Sequence, residues 1–421
     1  MGGWQGAHTG TAMSDIVITN ATLLDPRDAT LRSGQQIRIE GQKIVEVAGS
    51  VGMPQGATRI DAGGRVVMPG LIDAHVHAMA YVNNQVTLAN TAPYLVAAHA
   101  SKILADYLRR GFTTVRDSGG ADAALADATR LNLFPGPRLF VPGLALAVTG
   151  GLGDFRVRTE HDQGCPHCRS TRNISRVVDG VDAVRRAVRE EIAAGAHQIK
   201  LMAGGGNSGK SSIYSPHFSL EEQRVAVQEA ADFGTYVMAH CYGVDVIRRA
   251  LEAGVRTIEH ANLIDEDTAR LVADKNAYVV PTLSTFEASI FYADQLGTPA
   301  HIVEQVKMML RRGVEAVKIC RDAGVKLGFG TDLEGVMHHY QLHEFKIRSA
   351  VETPAQTLHS ATIVNAEIVR HEGKLGELVP GAFADILIVD GNPLEDIGVF
   401  QEDGSGIRVT IKDGYLHKRE I

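Results

Sequence analysis

Two histidines separated by one residue, His75 and His77, carry the clearest sign of chemistry in this sequence of 421 residues. They stand at the end of an apolar run, residues 66–75, that is typical of a buried strand. Residues i and i+2 of a strand point to the same face, so both imidazoles can reach one metal ion. Because short His-x-His pairs also occur without metal, this pair predicts a metal site only if other ligands accompany it.

Further candidate ligands are present along the chain. Four more polar residues each stand at the C-terminal end of a separate strand-like run, and a loop and a helical pattern follow each run. Imidazole and carboxylate groups are ligands that zinc and related divalent cations accept. The four residues are Lys200, His240, His260 and Asp332.

These residues must be positioned by the central part of the chain, about 71–375, which alternates strands with amphipathic helices. Repeated βα units imply a parallel sheet, and eight of them imply closure into a (β/α)8 TIM barrel, an α/β fold. In that fold the active site lies at the C-terminal ends of the strands, where all the candidate ligands stand. The predicted strands are 66–75, 112–118, 138–146, 197–203, 235–241, 256–261, 277–284 and 325–332.

The two ends of the chain have a different sequence pattern. Residues 15–70 contain short alternating strands without a helical pattern, and the same sequence pattern returns near the C-terminus. We expect residues 15–70 and 376–421 to form one small β-sandwich domain that the barrel, residues 71–375, interrupts. Residues 1–14 are small and polar, and we predict a disordered lead-in.

Composition and charge narrow the class of protein. The chain is 44% hydrophobic and its formal charge of −7 is not gathered in a block, which argues against nucleic acid or a membrane surface as a partner. A small-molecule amide or peptide substrate fits better, and a homo-oligomer stays possible. Four cysteines and the lack of a signal-peptide pattern predict a cytoplasmic protein.

From about residue 15 onward, the sequence resembles the amidohydrolase superfamily of metal-dependent hydrolases. The motifs that carry the resemblance stand in the family's order along nearly the whole chain. Within the superfamily it is most similar to Xaa-Pro dipeptidase and carboxypeptidase-like enzymes related to imidazolonepropionase, through Lys200 and the run MHHYQLHEF. The other motifs are PGLIDAHVH, IKLMAGG, MAHCYG, TIEHAN and GFGTDLEG.

This resemblance implies a centre of two divalent metal ions, with zinc favoured although manganese, cobalt and iron suit the same ligands. A protonated lysine would repel both cations, so Lys200 fits as an anionic N6-carboxylysine that bridges them. The implied ligands are His75, His77 and Asp332 for one metal, His240 and His260 for the other, and Lys200 for both.

The same resemblance implies a hydrolytic mechanism. A metal-bridging hydroxide would attack the substrate carbonyl, and Asp332 would take its proton and pass it to the leaving amine. Tyr242 would help to polarise the carbonyl and contact the substrate. Each residue also has a structural alternative: Asp332 could cap a helix, Lys200 could form a salt bridge, and Tyr242 could merely pack.

Substrate contacts are harder to predict. The long connection at about 147–178 is typical of a lid or binding wall, and an arginine there, Arg156 or Arg169, could bind a substrate carboxylate. His338 is a further candidate contact, although it could equally be a loop residue. The dipeptidase-like relatives commonly carry a histidine in TGGHGD and a serine in ASGG, where this chain has Leu152 and Gly204.

Two other motifs indicate different proteins, and neither has the context it needs. Residues 204–211 match the phosphate-binding pattern GxxxxGK[ST], but no helical pattern follows, so nucleotide binding is disfavoured. Cys165 and Cys168 could bind metal or act in redox chemistry, but no second pair completes a zinc site.

The sequence therefore predicts a binuclear metal-dependent amidohydrolase that cleaves the amide bond of a dipeptide or N-acyl amino acid with a C-terminal residue such as proline. Alternative substrates for the same centre are a carbamate, an aryl amide or a mycotoxin-like amide. Lys200 argues against a single-metal deaminase of cyclic amidines. The full set of six ligands argues against a non-catalytic scaffold.

Overall fold

The protein is described by a computed structural model at residues 15–156, 173–206 and 211–421. The predicted lead-in at 1–14 lies outside these ranges, as do Cys165, Cys168 and Arg169. Eighteen strands and twelve α-helices are found in the described ranges.

The strands are β1 (Ile16–Asp25), β2 (Thr30–Glu40), β3 (Lys43–Ala48), β4 (Thr58–Asp61), β5 (Val66–Pro69), β6 (Leu71–Val76), β7 (Phe112–Asp117), β8 (Arg138–Phe140), β9 (Ala145–Ala147), β10 (Ser175–Val177), β11 (Ile199–Leu201), β12 (Val237–Gly243), β13 (Thr257–Leu263), β14 (Tyr278–Val280), β15 (Lys326–Leu327), β16 (Ile386–Val389), β17 (Ile407–Lys412) and β18 (Tyr415–Arg419).

The α-helices are α1 (Gln85–Asn90), α2 (Pro93–Arg109), α3 (Ala123–Arg130), α4 (Val181–Ala193), α5 (Leu220–Asp232), α6 (Val244–Ala253), α7 (Glu266–Asp274), α8 (Ser284–Phe291), α9 (Ala300–Asp322), α10 (His343–Arg348), α11 (Pro354–His359) and α12 (Asn365–Ile368). A 3₁₀ segment, Gly335–Leu342, precedes α10.

The helices that follow the site strands form for local reasons. Helix α4 buries Val184, Ala187, Val188 and Glu191, at the i, i+3, i+4, i+7 spacing of one helical face. Helix α5 begins with a capping box in which Ser219 and Glu222 satisfy each other's backbone N–H groups. A phosphate-binding loop would lead directly into a helix, and no helix lies within residues 211–219. The structure therefore also argues against nucleotide binding at this motif.

Two parallel sheets form the centre of the molecule. One has the order β6-β7-β8, and the other has the order β10-β9-β11-β12-β13-β14-β15. Backbone hydrogen bonds join them: the Ala74 N–H donates to the Phe329 carbonyl at 2.8 Å on one side, and the His197 N–H donates to the Val141 carbonyl at 2.7 Å on the other. The arrangement is consistent with a (β/α)8 barrel, although no strand ladder closes the ring in the described residues.

Several predicted strands are shorter than expected: 138–146 yields β8 and only the start of β9, and 197–203 yields only β11. The run 325–332 yields only β15, because the backbone from Gly328 onward leaves the ladder and Asp332 adopts a positive φ of 55°. The run 277–284 ends at Val280, and Ser284 begins helix α8.

Strands from both chain ends pair in a single eight-stranded sheet, as β5 bonds to β1 in parallel and to β16 antiparallel. Alternate residues of this sheet face two cores: Val67 and Ile388 contribute to one among the end strands, and Met68 and Leu387 to another shared with the barrel. The ends therefore meet as expected, but a sandwich of two sheets is not confirmed. Among the described helices, none is long and apolar enough to cross a membrane.

Candidate active site

The first two candidate ligands lie where strand β6 ends. His75 and His77 are buried, and their ring centroids are 5.8 Å apart. Both Nε2 atoms face the same carboxylate oxygen, Oδ1 of Asp332, at 3.3 Å for His75 and 3.1 Å for His77. The i, i+2 spacing has therefore placed both imidazoles on one side of the strand, as alternation requires.

The next two candidates, His260 within β13 and Asp332 in the segment after β15, have unusual backbone geometry. His260 has a φ of 73° and Asp332 a φ of 55°, in the left-handed region that non-glycine residues rarely adopt. Such conformations cost free energy and cluster at functional sites. Here they turn the side chains toward the others, so that ligand atoms of His75, His260 and Asp332 all lie within 4.8 Å of one another.

His240 and Lys200 complete the group from strands β12 and β11. The His240 ring centroid is 4.5 Å from that of His260, and its Nε2 is 3.1 Å from the Gly205 carbonyl oxygen. Burial, together with the nearby charge of Lys200, lowers the pKa of His240 to about 3, so this imidazole is neutral and has a lone pair available. Burial also lowers the pKa of Lys200, although the carboxylates of Glu259 and Asp332 oppose this.

All six side chains line one cavity of about 520 Å³. Imidazole nitrogens and an ionised carboxylate are ligands that divalent cations accept. Asp332 is such a carboxylate: although burial opposes its ionisation, His75 and His77 hold its pKa well below the usual value. The donor set in this cavity fits a divalent metal centre.

Comparison with known proteins agrees with this chemistry. The model of the Amidohydrolase family matches residues 66–416. The chain belongs to the amidohydrolase family. The resemblance predicted from the sequence is thus confirmed, and with it a hydrolase acting on C–N bonds.

Individual relatives of this amidohydrolase extend over most of its length. Ochratoxinase from Aspergillus niger is 31% identical over 433 residues, which cover 97% of this chain and 88% of that protein. The crystal structure of a prolidase complexed with N-methylphosphonate-L-proline is 45% identical, with a TM-score of 0.93 over 96% of this chain and 100% of that one. A Xaa-Pro dipeptidase with methionine bound in its active site is 29% identical, with a TM-score of 0.82 over 96% and 100% of the two chains.

The sequence reasoning missed a buried ion pair behind the amidohydrolase site. Glu259 accepts a hydrogen bond from Nδ1 of His75 at 2.7 Å, and the Arg116 guanidinium binds both oxygens of Glu259 at 2.9 and 3.0 Å. Burial opposes ionisation of Glu259, yet Arg116 and His75 hold its pKa at about 2. The sequence did contain a sign of this ion pair, because the acidic residue Glu259 directly precedes His260 in a run that is typical of a buried strand.

Other polar residues that the sequence reasoning missed fix the backbone around the histidines. Asp117 accepts the N–H groups of Ala78, Gly119 and Ala121, at 2.7 to 3.2 Å, and so holds the loop that follows His77. Thr282 bonds Nδ1 of His260 at 2.7 Å.

Tyr242 lies in the cavity beside the candidate ligands. Its ring centroid is 4.6 Å from His240 and 5.3 Å from His260, and the side chain is almost fully buried. Burial raises its pKa well above the usual value, so the hydroxyl keeps its proton. It is therefore placed to donate a hydrogen bond into the cavity.

The other two predicted substrate contacts are engaged elsewhere. Arg156 binds both oxygens of Asp154, at 2.8 and 2.9 Å, which occupies the fork that a substrate carboxylate would need. His338 bonds the Tyr107 hydroxyl through Nδ1 and the Ala80 carbonyl through Nε2, each at 2.9 Å. Neither residue is among the described side chains that line the cavity.

Proposed function

We propose that this amidohydrolase is a binuclear metal-dependent enzyme that hydrolyses the amide bond before a C-terminal amino acid, with proline favoured. The observation that carries the proposal is the convergence of His75, His260 and Asp332 within 4.8 Å, in a cavity that Lys200 also lines. The substrate class is supported by the 45% identity to the prolidase crystallised with a proline derivative.

Two divalent cations, zinc favoured, would supply a water of lowered pKa and polarise the scissile carbonyl. We assign His75, His77 and Asp332 to one ion and His240 and His260 to the other. Lys200 would bridge both as N6-carboxylysine.

The surroundings of Lys200 support this modification. An amine reacts with CO2 only in its neutral form, and burial lowers the pKa of Lys200 and so raises the neutral fraction. Carboxylation would replace a cation that repels metals with an anion that binds them.

Asp332 would move the proton of the reaction. Its carboxylate is ionised at neutral pH, so it can accept a proton from the attacking water. The water oxygen would first bond to the carbonyl carbon, Asp332 would then pass the proton to the nitrogen, and the C–N bond would break as the carbonyl forms again. The products are a carboxylate and the free amine of the C-terminal residue.

Tyr242 would stabilise the charge that develops on the carbonyl oxygen. The hydroxyl keeps its proton and the phenol ring lies beside His240 and His260, so Tyr242 would donate a hydrogen bond to that oxygen.

Helices α8 and α9 would accommodate an apolar part of the substrate. Phe286 and Val306 belong to a buried cluster with Tyr242, and Ile302 packs against it. All four residues line the cavity. An apolar side chain next to the scissile bond would gain free energy by leaving water there.

A second candidate function is hydrolysis of a mycotoxin-like amide. The 31% identity to ochratoxinase over nearly the whole chain favours it, and it requires the same metal centre. Carbamates and aryl amides are further substrates for the same chemistry.

The experiment that tests the proposal is turnover by the zinc-loaded protein of a library of Xaa-Pro dipeptides, N-acyl amino acids, ochratoxin and aryl carbamates. Release of proline from dipeptides supports the first candidate. Cleavage of ochratoxin alone supports the second, and no hydrolysis of any member overturns both.

A further inference from the structure

Glu334 adds a carboxylate to the cavity wall that the proposed chemistry does not use. It lies two residues after Asp332, is half-buried and lines the cavity. His77 and Asp332 line the same cavity, so Glu334 shares it with the metal-ligand cluster. Lys200, which is assigned to the metals, is the single lysine or arginine among the described residues that line this cavity.

Gln85 holds this carboxylate in place. Its Nε2 donates to both oxygens of Glu334, at 3.2 Å each. The Oε1 of Gln85, a side chain only 8% exposed that also lines the cavity, is a buried acceptor without a hydrogen-bond partner in the described structure. That oxygen has almost no accessible surface, so Gln85 contributes to the cavity wall through its hydrogen bonds to Glu334.

Hydrogen bonds join the segment that leads into α1 to the segment that carries Glu334. The Gly335 N–H donates to the Ala80 carbonyl at 2.8 Å, and the Asn83 amide donates to the Glu334 carbonyl at 3.3 Å. The Glu334 carboxylate is thus preorganised in the cavity wall, so a ligand can bind it without the entropy cost of ordering a loop.

The chemistry of a dipeptide matches this position. Its α-amino nitrogen is bonded to the carbon next to the scissile carbonyl, so an amine at the centre must lie within a few ångströms of the metals. That amine is protonated at neutral pH and offers three N–H donors. An N-acyl amino acid has no charge there.

We propose that Glu334, held in place by Gln85, binds the α-ammonium group of the substrate, so that the enzyme selects dipeptides with a free amino terminus over N-acylated analogues. This inference rests on the proposed function, since it names the substrate class of the same site. Burial raises the pKa of Glu334 to about 7, and an ammonium group beside it favours the ionised carboxylate, so the two form a charge-assisted hydrogen bond, which is stronger than a neutral one.

The test compares Leu-Pro with N-acetyl-Leu-Pro on the zinc-loaded protein, because the two peptides differ only at the amine. We expect the wild type to prefer Leu-Pro in kcat/KM. Glu334→Gln should lower kcat/KM for Leu-Pro by about tenfold to a hundredfold and change that for N-acetyl-Leu-Pro less than about twofold. The exposed Glu372→Gln serves as a control for the loss of one charge.

Equal losses for both peptides in Glu334→Gln, or a wild-type preference for the acetylated peptide, would overturn the assignment. Calorimetric binding of both peptides provides a second readout. If neither peptide is cleaved, the proposed function fails, but tighter binding of Leu-Pro that Glu334→Gln removes would still support amine recognition. Equal binding of both peptides to the wild type would overturn it.

Discussion

The Nδ1 atom of His75 lies 2.7 Å from Oε2 of Glu259, and both side chains are buried. Because Nδ1 is bonded to Glu259, Nε2, the atom that faces Asp332, is the nitrogen of His75 that can bind a metal. Arg116 neutralises Glu259 from the other side and allows a carboxylate to exist at this depth. The pair therefore fixes both the tautomer and the orientation of a candidate metal ligand.

Replacing Glu259 should weaken metal binding. We expect Glu259→Gln to lower zinc affinity by about tenfold to a hundredfold, as is usual when the hydrogen-bond partner of a ligating histidine is lost. Competition with a chromophoric chelator measures this. Glu229→Gln, which also removes a carboxylate paired with arginines but lies outside the cavity, should keep wild-type affinity. Unchanged affinity in Glu259→Gln would contradict the positioning role.

Replacing Lys200 tests the bridging ligand. Lys200→Arg keeps the positive charge but cannot be carboxylated, so we expect loss of bound metal together with loss of hydrolysis, measured by elemental analysis and turnover. Lys374→Arg, at an exposed lysine, is the control and should retain both. A Lys200→Arg protein with full metal content and full activity would contradict the role of Lys200 as a bridging ligand.

Tyr242 should affect the chemical step more than binding. Removing one donor to a developing oxyanion commonly costs about a hundredfold to a thousandfold in kcat. We expect Tyr242→Phe to show such a loss with KM changed little and metal content intact. If KM rose while kcat stayed constant, Tyr242 would instead be a substrate-binding side chain.

Glu344 should make stability depend on pH. Burial raises its pKa from the ordinary 4.5 to about 8, and its Oε2 accepts the N–H groups of Leu283 and Ser284 at 2.7 Å. The folded state thus binds this proton more tightly than the unfolded state, so the stabilisation is full below about pH 4.5 and is lost as pH rises toward 8.

The non-titrating variant Glu344→Gln should escape this loss. Relative to wild type, its thermal midpoint should rise between about pH 5 and about pH 9. Glu372→Gln, at an exposed carboxylate, should show no such trend. A constant difference between Glu344→Gln and wild type over this range would show that the folded-state pKa is not raised.

Strand alternation was enough to predict that His75 and His77 share a face, and the placement of each ligand at a strand end was enough to predict that they meet. The same rule could not find Glu259. Alternation puts Glu259 and His260 on opposite faces. The left-handed φ of His260 interrupts that alternation within β13, and His75 contacts both side chains.

Substrate contacts were harder for a different physical reason. Arg156 and His338 have side chains that suit recognition, but their partners, Asp154 for one and Tyr107 with Ala80 for the other, are set by loop packing that no local pattern reveals. The motif GTDLEG did not identify Glu334 as a substrate contact, because its proposed role depends on Gln85, which is 249 residues away in sequence.

The central claim is that the ligand set around His75, His260 and Asp332 holds two catalytic metal ions. Elemental analysis of the purified protein, combined with Leu-Pro hydrolysis before and after chelation and zinc restoration, tests it most directly. We predict about two metal ions per chain, with activity that is lost on chelation and restored by zinc. A protein without metal, or one whose hydrolysis survives complete metal removal, would contradict the account.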